Sequence, residues 1–210
     1  MIALLLGAGV TAMLAPASAR AQVFAFTKEE LTEFTAKNPF DRFPDGRPKI
    51  PDALIERARG LSMEEILGLE KQEYRNQYTD GWQVLHPGKK LVGRAFTVQF
   101  MPSRPDLDSV AQAKAKARGI GRLSNQAVID MLQPGDVIVV DMFGKKEQGT
   151  LVGDNLFYYI MKATKGAGMV VDGAVRDLEG ISNMDMPAYF RHAHPSAIGN
   201  MVLAGWNIPV

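Results

Sequence analysis

Apolar positions along this chain alternate between short unbroken runs and helical periods, and that alternation predicts its elements. Asp136-Val-Ile-Val-Val140 is apolar and β-branched after its opening aspartate and follows the turn signal Pro134-Gly135, the pattern of a strand buried on both faces. Residues 143–149 are mostly polar and end in glycine, so they read as a loop. From 156 to 165 the apolar residues Leu156, Tyr159, Ile160 and Ala163 recur at helical spacing, and Gly166 and Gly168 supply the stop. Met169-Val-Val171 predicts a second buried strand, with Gly173 and the Val175-Arg176-Asp177 corner at or beyond its C-terminal end. Strand, helix, strand in that order is a βαβ-like unit of an α/β fold, whose ligands lie at the carboxyl ends of the strands.

Upstream, Thr27-Lys-Glu-Glu30 is a capping box that opens an amphipathic helix through about Lys37, and Asn38-Pro39 ends it. Pro39, Pro44, Gly46 and Pro48 make 38–50 linker-like. Helices are expected over 53–59, 63–69, 105–118 and 123–132, and a strand over 91–100. Tyr74, Tyr78 and Trp82 place aromatics in a polar segment, where packing is the default reading and a ligand platform the sharper one.

Residues 1–15 form a compact apolar run, and Pro16-Ala-Ser-Ala19-Arg-Ala21-Gln22 offers small residues at signal-peptidase spacing. This predicts an export signal over 1–21, cleaved after Ala21, and a periplasmic or secreted protein, although no Lys or Arg precedes the run. A membrane anchor is the competing reading, which the shortness of the run and its interruption by Gly7, Gly9 and Pro16 oppose; no stable membrane span is expected after cleavage. The expected division is therefore 1–21 signal, 22–50 N-terminal helix and linker, and 51–210 one compact domain.

Hydrophobic content of 46% and charged content of 22% are ordinary for a globular chain, and the net charge of +1 carries no nucleic-acid footprint. The absence of cysteine fits either side of a membrane.

The candidate chemistry gathers at two places. Gly153-Asp154-Asn155-Leu156 opens the predicted helix, and Arg176-Asp177 follows the second strand. A carboxylate such as Asp177 is a hard oxygen ligand for Mg²⁺ or Mn²⁺, ions that take one or two protein carboxylates and leave positions for substrate oxygens. A 2-oxo acid chelates such an ion through its keto and carboxylate oxygens, and Arg176 offers a planar charged fork for a carboxylate. The backbone N–H groups from Gly153 through Asp154, Asn155 and Leu156 would cradle further negative charge. A C–C bond then breaks as electrons flow into a metal-stabilised pyruvate enolate, with Arg176 and Asp154 as the catalytic candidates. The general base is left open between a metal-bound water and an acid beyond the C-terminal residue.

Each residue also has a plainer reading. Asp154 and Asp177 could be helix N-caps, and Arg176 a surface partner of Asp177 or Glu179. His192-Ala-His194 could be a metal clip on one strand face or a structural pair. Lys145-Lys146 could draw in an anion or sit in a solvated turn, and Lys114, Lys116 and Arg118 mark an exposed helix face.

Taken together, the segment over 153–177 resembles the RraA-like family, with Val92-Gly-Arg-Ala-Phe-Thr-Val98 similar to its early strand and Gln133-Pro-Gly-Asp136-Val-Ile-Val-Val-Asp141 to its central one. The family holds class II 4-hydroxy-4-methyl-2-oxoglutarate aldolases with oxaloacetate decarboxylase activity, and RraA, a protein inhibitor of ribonuclease E. The resemblance implies a swivelling β/β/α domain, here with a helical N-terminal extension. It also implies a divalent-metal-dependent lyase acting on a small 2-oxo dicarboxylic acid, assembled as a homo-oligomer, typically a trimer. Carried over, Gly153, Asp154, Asn155, Leu156 and Arg176 would contact substrate and Asp177 would bind the metal. Two departures stand out: 21 residues separate Asp154 from Arg176, about one more than usual, and the chain stops at Val210, where relatives run on, so the 51–210 domain is expected to be truncated at its C-terminus. The alternatives are a non-catalytic RraA-type regulator that binds a protein partner, and a methyltransferase. The latter needs a Gly-rich nucleotide loop after its first strand, whereas Gly119-Ile-Gly121 stands between predicted helices.

Overall fold

A computed structural model describes residues 24–70 and 79–210. The expected export signal and the aromatics Tyr74 and Tyr78 lie outside these residues. In chain order the elements are β1 (Phe24–Ala25), α1 (Lys28–Phe34), α2 (Asp52–Ala58), α3 (Met63–Glu70), β2 (Gln83–Leu85), β3 (Arg94–Pro102), α4 (Pro105–Ala117) and α5 (Asn125–Ile129). They continue with β4 (Asp136–Asp141), β5 (Thr150–Val152), α6 (Asp154–Thr164), β6 (Met169–Val175), α7 (Leu178–Ser182), β7 (Ala188–Ala193) and β8 (Met201–Trp206).

The strands form one sheet in the order β1-β8-β3-β4-β6-β7-β2, with β5 pairing β6 off this path. Its centre, β3 through β7, is parallel, while β8 and β2 run antiparallel at the flanks. Alternation along the central strands sends Phe96, Val98 and Phe100, then Ile138 and Val140, then Met169 and Val171, into one buried cluster. Ala111 and Ala115 of α4, Val128 of α5, Phe157 and Ile160 of α6 and Ile181 of α7 complete it. Each fully buried large side chain contributes about 1.5–3 kcal/mol relative to exposure, so this helix-covered face supplies most of the stability.

Two differences from the sequence reading bear on the site. The second strand runs on to Val175, so Gly173 lies inside β6 and not past its end. A side chain there would meet Gly149 O at 2.8 Å and Met142 Cβ at 2.9 Å. Because position 173 is bare, Gly149 O can accept from Ala174 N–H at 2.8 Å, and the three-residue β5 is laid against the end of β6. The helix stop also differs, since Lys165 itself takes the left-handed conformation, at φ 57°, ahead of the glycines.

Smaller differences are matters of length. The capping box at Thr27 forms with both of its hydrogen bonds, but α1 ends at Phe34 and α5 spans only Asn125–Ile129. β3 starts at Arg94, after Gly93, whose missing side chain would overlap Gly135 O and Val137 at 2.7 Å. The proline-rich stretch over 38–50 turns back on itself through an Arg42–Pro48 bridge, and Arg42 donates to Thr35 O and Gly46 O. Arg47 then reaches the domain and donates to the fully buried Asp136 at 3.1 Å. Among the described residues no helix is long and apolar enough to cross a membrane.

Candidate active site

β5 delivers Gly153, the N-cap of α6, to the carboxyl end of β6. The delivery is held from both sides. Arg176 N–H donates to Val152 O at 3.1 Å, and the buried Asn125 side chain donates to Leu151 O at 2.7 Å. Asn125 lies in a helical pattern with nothing in the sequence to single it out, so sequence reasoning missed it.

The two predicted clusters meet here. A methyl group on Gly153 would overlap Asp177 Oδ2 and lie 2.9 Å from Arg176 Nε, so the bare backbone at 153 is what lets those side chains close over it. Asp154 is the first helical residue, and its carboxylate packs on α7, where a side chain at Gly180 would stand 2.8 Å from Asp154 Cβ and 3.1 Å from its Oδ2. Asp154, Asn155, Arg176 and Asp177 are all exposed, and Leu156 is half-buried. α6 turns Phe157 and Ile160 into the core, which fixes which of its residues reach solvent.

Neither aspartate makes an N-cap hydrogen bond from the N-cap position, although the Asp154 side chain does serve the first turn of α6 through Asn155 N–H. Gly153 and not Asp154 is the N-cap of α6. Asp177 is the N-cap of α7 by position, but its side chain makes no capping hydrogen bond. Its backbone is left-handed, at φ 57° and ψ 46°, a conformation that costs a non-glycine residue about 1–2 kcal/mol. Arg176 does pair with Asp177, Nε to Oδ2 at 3.4 Å, and both side chains stay near half exposure. Such a pair contributes at most about 1 kcal/mol, so stability alone gives little reason for it. One element of the expected anion cradle is already used, because Asp154 Oδ1 accepts from Asn155 N–H at 2.6 Å.

Asp177 and Asp154 each supply a hard oxygen donor open to water. That set fits a Mg²⁺-like ion, which needs only one or two protein carboxylates. The donors are few, since the described residues hold no group of three or more His, Cys, Asp or Glu arranged for a metal. The histidine clip does not form. β7 ends at Ala193, so only His192 is in the strand, and His194 Nδ1 lies 2.9 Å from Ser196 Oγ and accepts from Ser196 N–H. Trp82 packs 4.0 Å from the Arg191 guanidinium, which Asp172 holds at 2.7 Å, so its role is structural.

Comparisons with known proteins agree with this frame. A protein of Halalkalibacterium halodurans named "Putative 4-hydroxy-4-methyl-2-oxoglutarate aldolase" is 31% identical over 127 residues, which is 60% of this chain. The match spans 51% of that relative, about half its length. The crystal structure of Streptomyces coelicolor RraAS2, described as an unusual member of the RNase ES inhibitor RraA protein family, superposes with a TM-score of 0.62 at 28% identity, covering 77% of this chain and 75% of that one. An uncharacterized protein from Pseudomonas syringae pv. tomato shares the fold, with a TM-score of 0.58 at 22% identity over 77% of this chain and 68% of its own. A model of the RraA-like family matches residues 48–210, the span that holds β2 through β8 and both halves of the candidate site, and the chain belongs to that family, Aldolase/RraA.

Proposed function

We propose that this protein is a divalent-metal-dependent carbon–carbon lyase that cleaves a short 2-oxo dicarboxylic acid, of the 4-hydroxy-4-methyl-2-oxoglutarate aldolase or oxaloacetate decarboxylase type. The observation that carries the proposal is the seat of the Arg176–Asp177 pair on the bare backbone of Gly153. The relative named as an aldolase supports the same reaction class.

Asp177 would hold the cation, which when bound supplies Lewis-acid polarisation of the keto group. Arg176 binds the substrate carboxylate through its guanidinium and neutralises charge as it builds. The N-terminal turn of α6, through the N–H groups of Asp154 and Leu156, adds a positive end dipole for a substrate oxygen. In the aldol cleavage the C3–C4 bond breaks, its electron pair moves toward the keto oxygen, and the C4 hydroxyl gives up the proton that C3 finally takes. Asp154, exposed at the same corner, would help move that proton. In the decarboxylation carbon dioxide leaves in place of the carbonyl fragment.

The proposal extends to the setting of the enzyme. The apolar leader supports export to the periplasm or beyond, and family membership supports a homo-oligomer, with trimer the expected state. Sequencing the mature N-terminus and measuring the mass in solution test these two points.

A second reading, a regulator that binds a protein partner without catalysis, is favoured by the likeness to the Streptomyces coelicolor RraAS2 structure. Pyruvate release separates the two. The lyase reading expects release from oxaloacetate or 4-hydroxy-4-methyl-2-oxoglutarate above the rate of a metal-only blank, and the regulator reading expects none from either.

A further inference from the structure

Away from the site, a groove of about 430 Å³ runs between the N-terminal extension and the domain. Phe26, Leu31, Phe34, Phe43, Ile50 and Ile208 give it apolar walls, and Arg47 and Arg94 line it as well. Phe26 and Phe34 stack with centroids 4.7 Å apart. Phe26, Leu31, Phe34, Phe43 and Arg47 of this lining lie before residue 48, outside the part of the chain that matches the family, and none of the lining belongs to the site already described. Its size and its apolar walls with a few polar groups are those of a small-molecule site.

Its two guanidinium groups meet three carboxylates, of which only one is buried. Three side chains here are shut off from water: Arg47 at 7% exposure, Arg94 at 9% and Asp136 at 0%. Two guanidinium groups thus face one carboxylate in the interior. The other carboxylates that touch them are in solvent, Asp45 at 38% and Asp52 at 93% exposure. Arg94 Nε and Asp136 Oδ1 lack hydrogen bonds but face each other at 3.6 Å, an ion pair slightly opened. Arg47 Nη2 has no hydrogen-bond acceptor, and its guanidinium lies over the Phe43 and Phe96 rings, 5.5 and 5.1 Å from their centroids. A buried guanidinium N–H left open is costly, and a carboxylate oxygen is the group that best completes it.

We propose that this groove binds an anionic amphiphile, a monocarboxylate with an aliphatic or aromatic body, whose head meets the Arg47–Arg94 pair and whose body lies along Phe26, Phe34 and Phe43. The site is independent of the lyase reading and stands or falls without it. Arg47 also holds the extension to Asp136, so occupancy of the groove tightens the extension against the domain.

Calorimetry on the purified protein, titrated with decanoate, decanol and decyltrimethylammonium, tests the proposal. Decanoate is expected to bind saturably, one per chain, about tenfold or more tighter than decanol, the worth of one charge-assisted hydrogen bond, and the cation weakest. Ala95 is exposed and lines the groove, so Ala95→Trp fills it without entering the core and is expected to abolish decanoate binding. Phe34, 68% exposed, provides a second variant that leaves folding intact, and Phe34→Ala is expected to weaken decanoate and decanol alike. Equal affinity for decanoate and decanol, binding that survives Ala95→Trp, or no saturable binding would each overturn the proposal. So would sedimentation that finds two copies joined through this face and separated by Ala95→Trp.

Discussion

Gly153 leaves no room for a side chain because Asp177 Oδ2 occupies the space where its Cβ would stand. The backbone at 153 is at φ −104° and ψ −167°, which any residue can adopt, so glycine is required by the neighbour and not by the turn. Gly153→Ala should therefore push the half-exposed Asp177 and Arg176 side chains aside without unfolding the chain. Thermal unfolding is expected to shift by the equivalent of about 1 kcal/mol or less, while kcat/KM for pyruvate release falls roughly a hundredfold, as expected for a misplaced catalytic pair.

Asp177 is held left-handed, and its side chain makes no capping hydrogen bond in return. Asp177→Gly removes the strain and the carboxylate together. The unfolding midpoint is expected to hold or rise, by up to about 1 kcal/mol, with loss of at least roughly a hundredfold in pyruvate release. A stability loss would mean that the carboxylate is structural.

Arg176→Lys keeps the charge but loses the planar fork. Bidentate grip on a carboxylate needs that fork, so KM is expected to rise about tenfold or more, with folding unchanged because the side chain is 43% exposed. Steady-state kinetics against both substrates reads this directly.

Arg47 and Asp136, 89 residues apart in sequence, form a buried pair at 3.1 Å that joins the extension to the start of β4. Arg47→Met strands a carboxylate that is fully shut from water, leaving it the Gln133 N–H at 3.0 Å and the looser Arg94. Chemical denaturation is expected to report a loss of about 3 kcal/mol.

Local pattern carried much of this fold into view. The β-branched run over 136–140, the period that became α6 and the capping box at Thr27 each rest on neighbours in sequence, and each formed. β5 is only three residues long and sits behind a loop, too short for a period to register, although it is what carries Gly153 to the site. The extension of β6 through Gly173 was hidden because glycine reads as punctuation, whereas here it admits a neighbouring backbone. Of the site, Gly153, Asp154, Arg176 and Asp177 were legible as residue types and do come together. Gly180 behind Asp154 and Asn125 behind Leu151 were not, since both act through contacts that only the tertiary structure creates.

The central claim is that Asp177 holds a divalent cation which, with Arg176, drives carbon–carbon cleavage. The most direct measurement is pyruvate release from oxaloacetate and 4-hydroxy-4-methyl-2-oxoglutarate by the wild type and Asp177→Ala, each assayed after chelation and after Mg²⁺ or Mn²⁺ is restored. The account predicts activity that vanishes with chelator, returns with the metal, and is lost in Asp177→Ala under every condition; activity indifferent to chelator and to the substitution would contradict it.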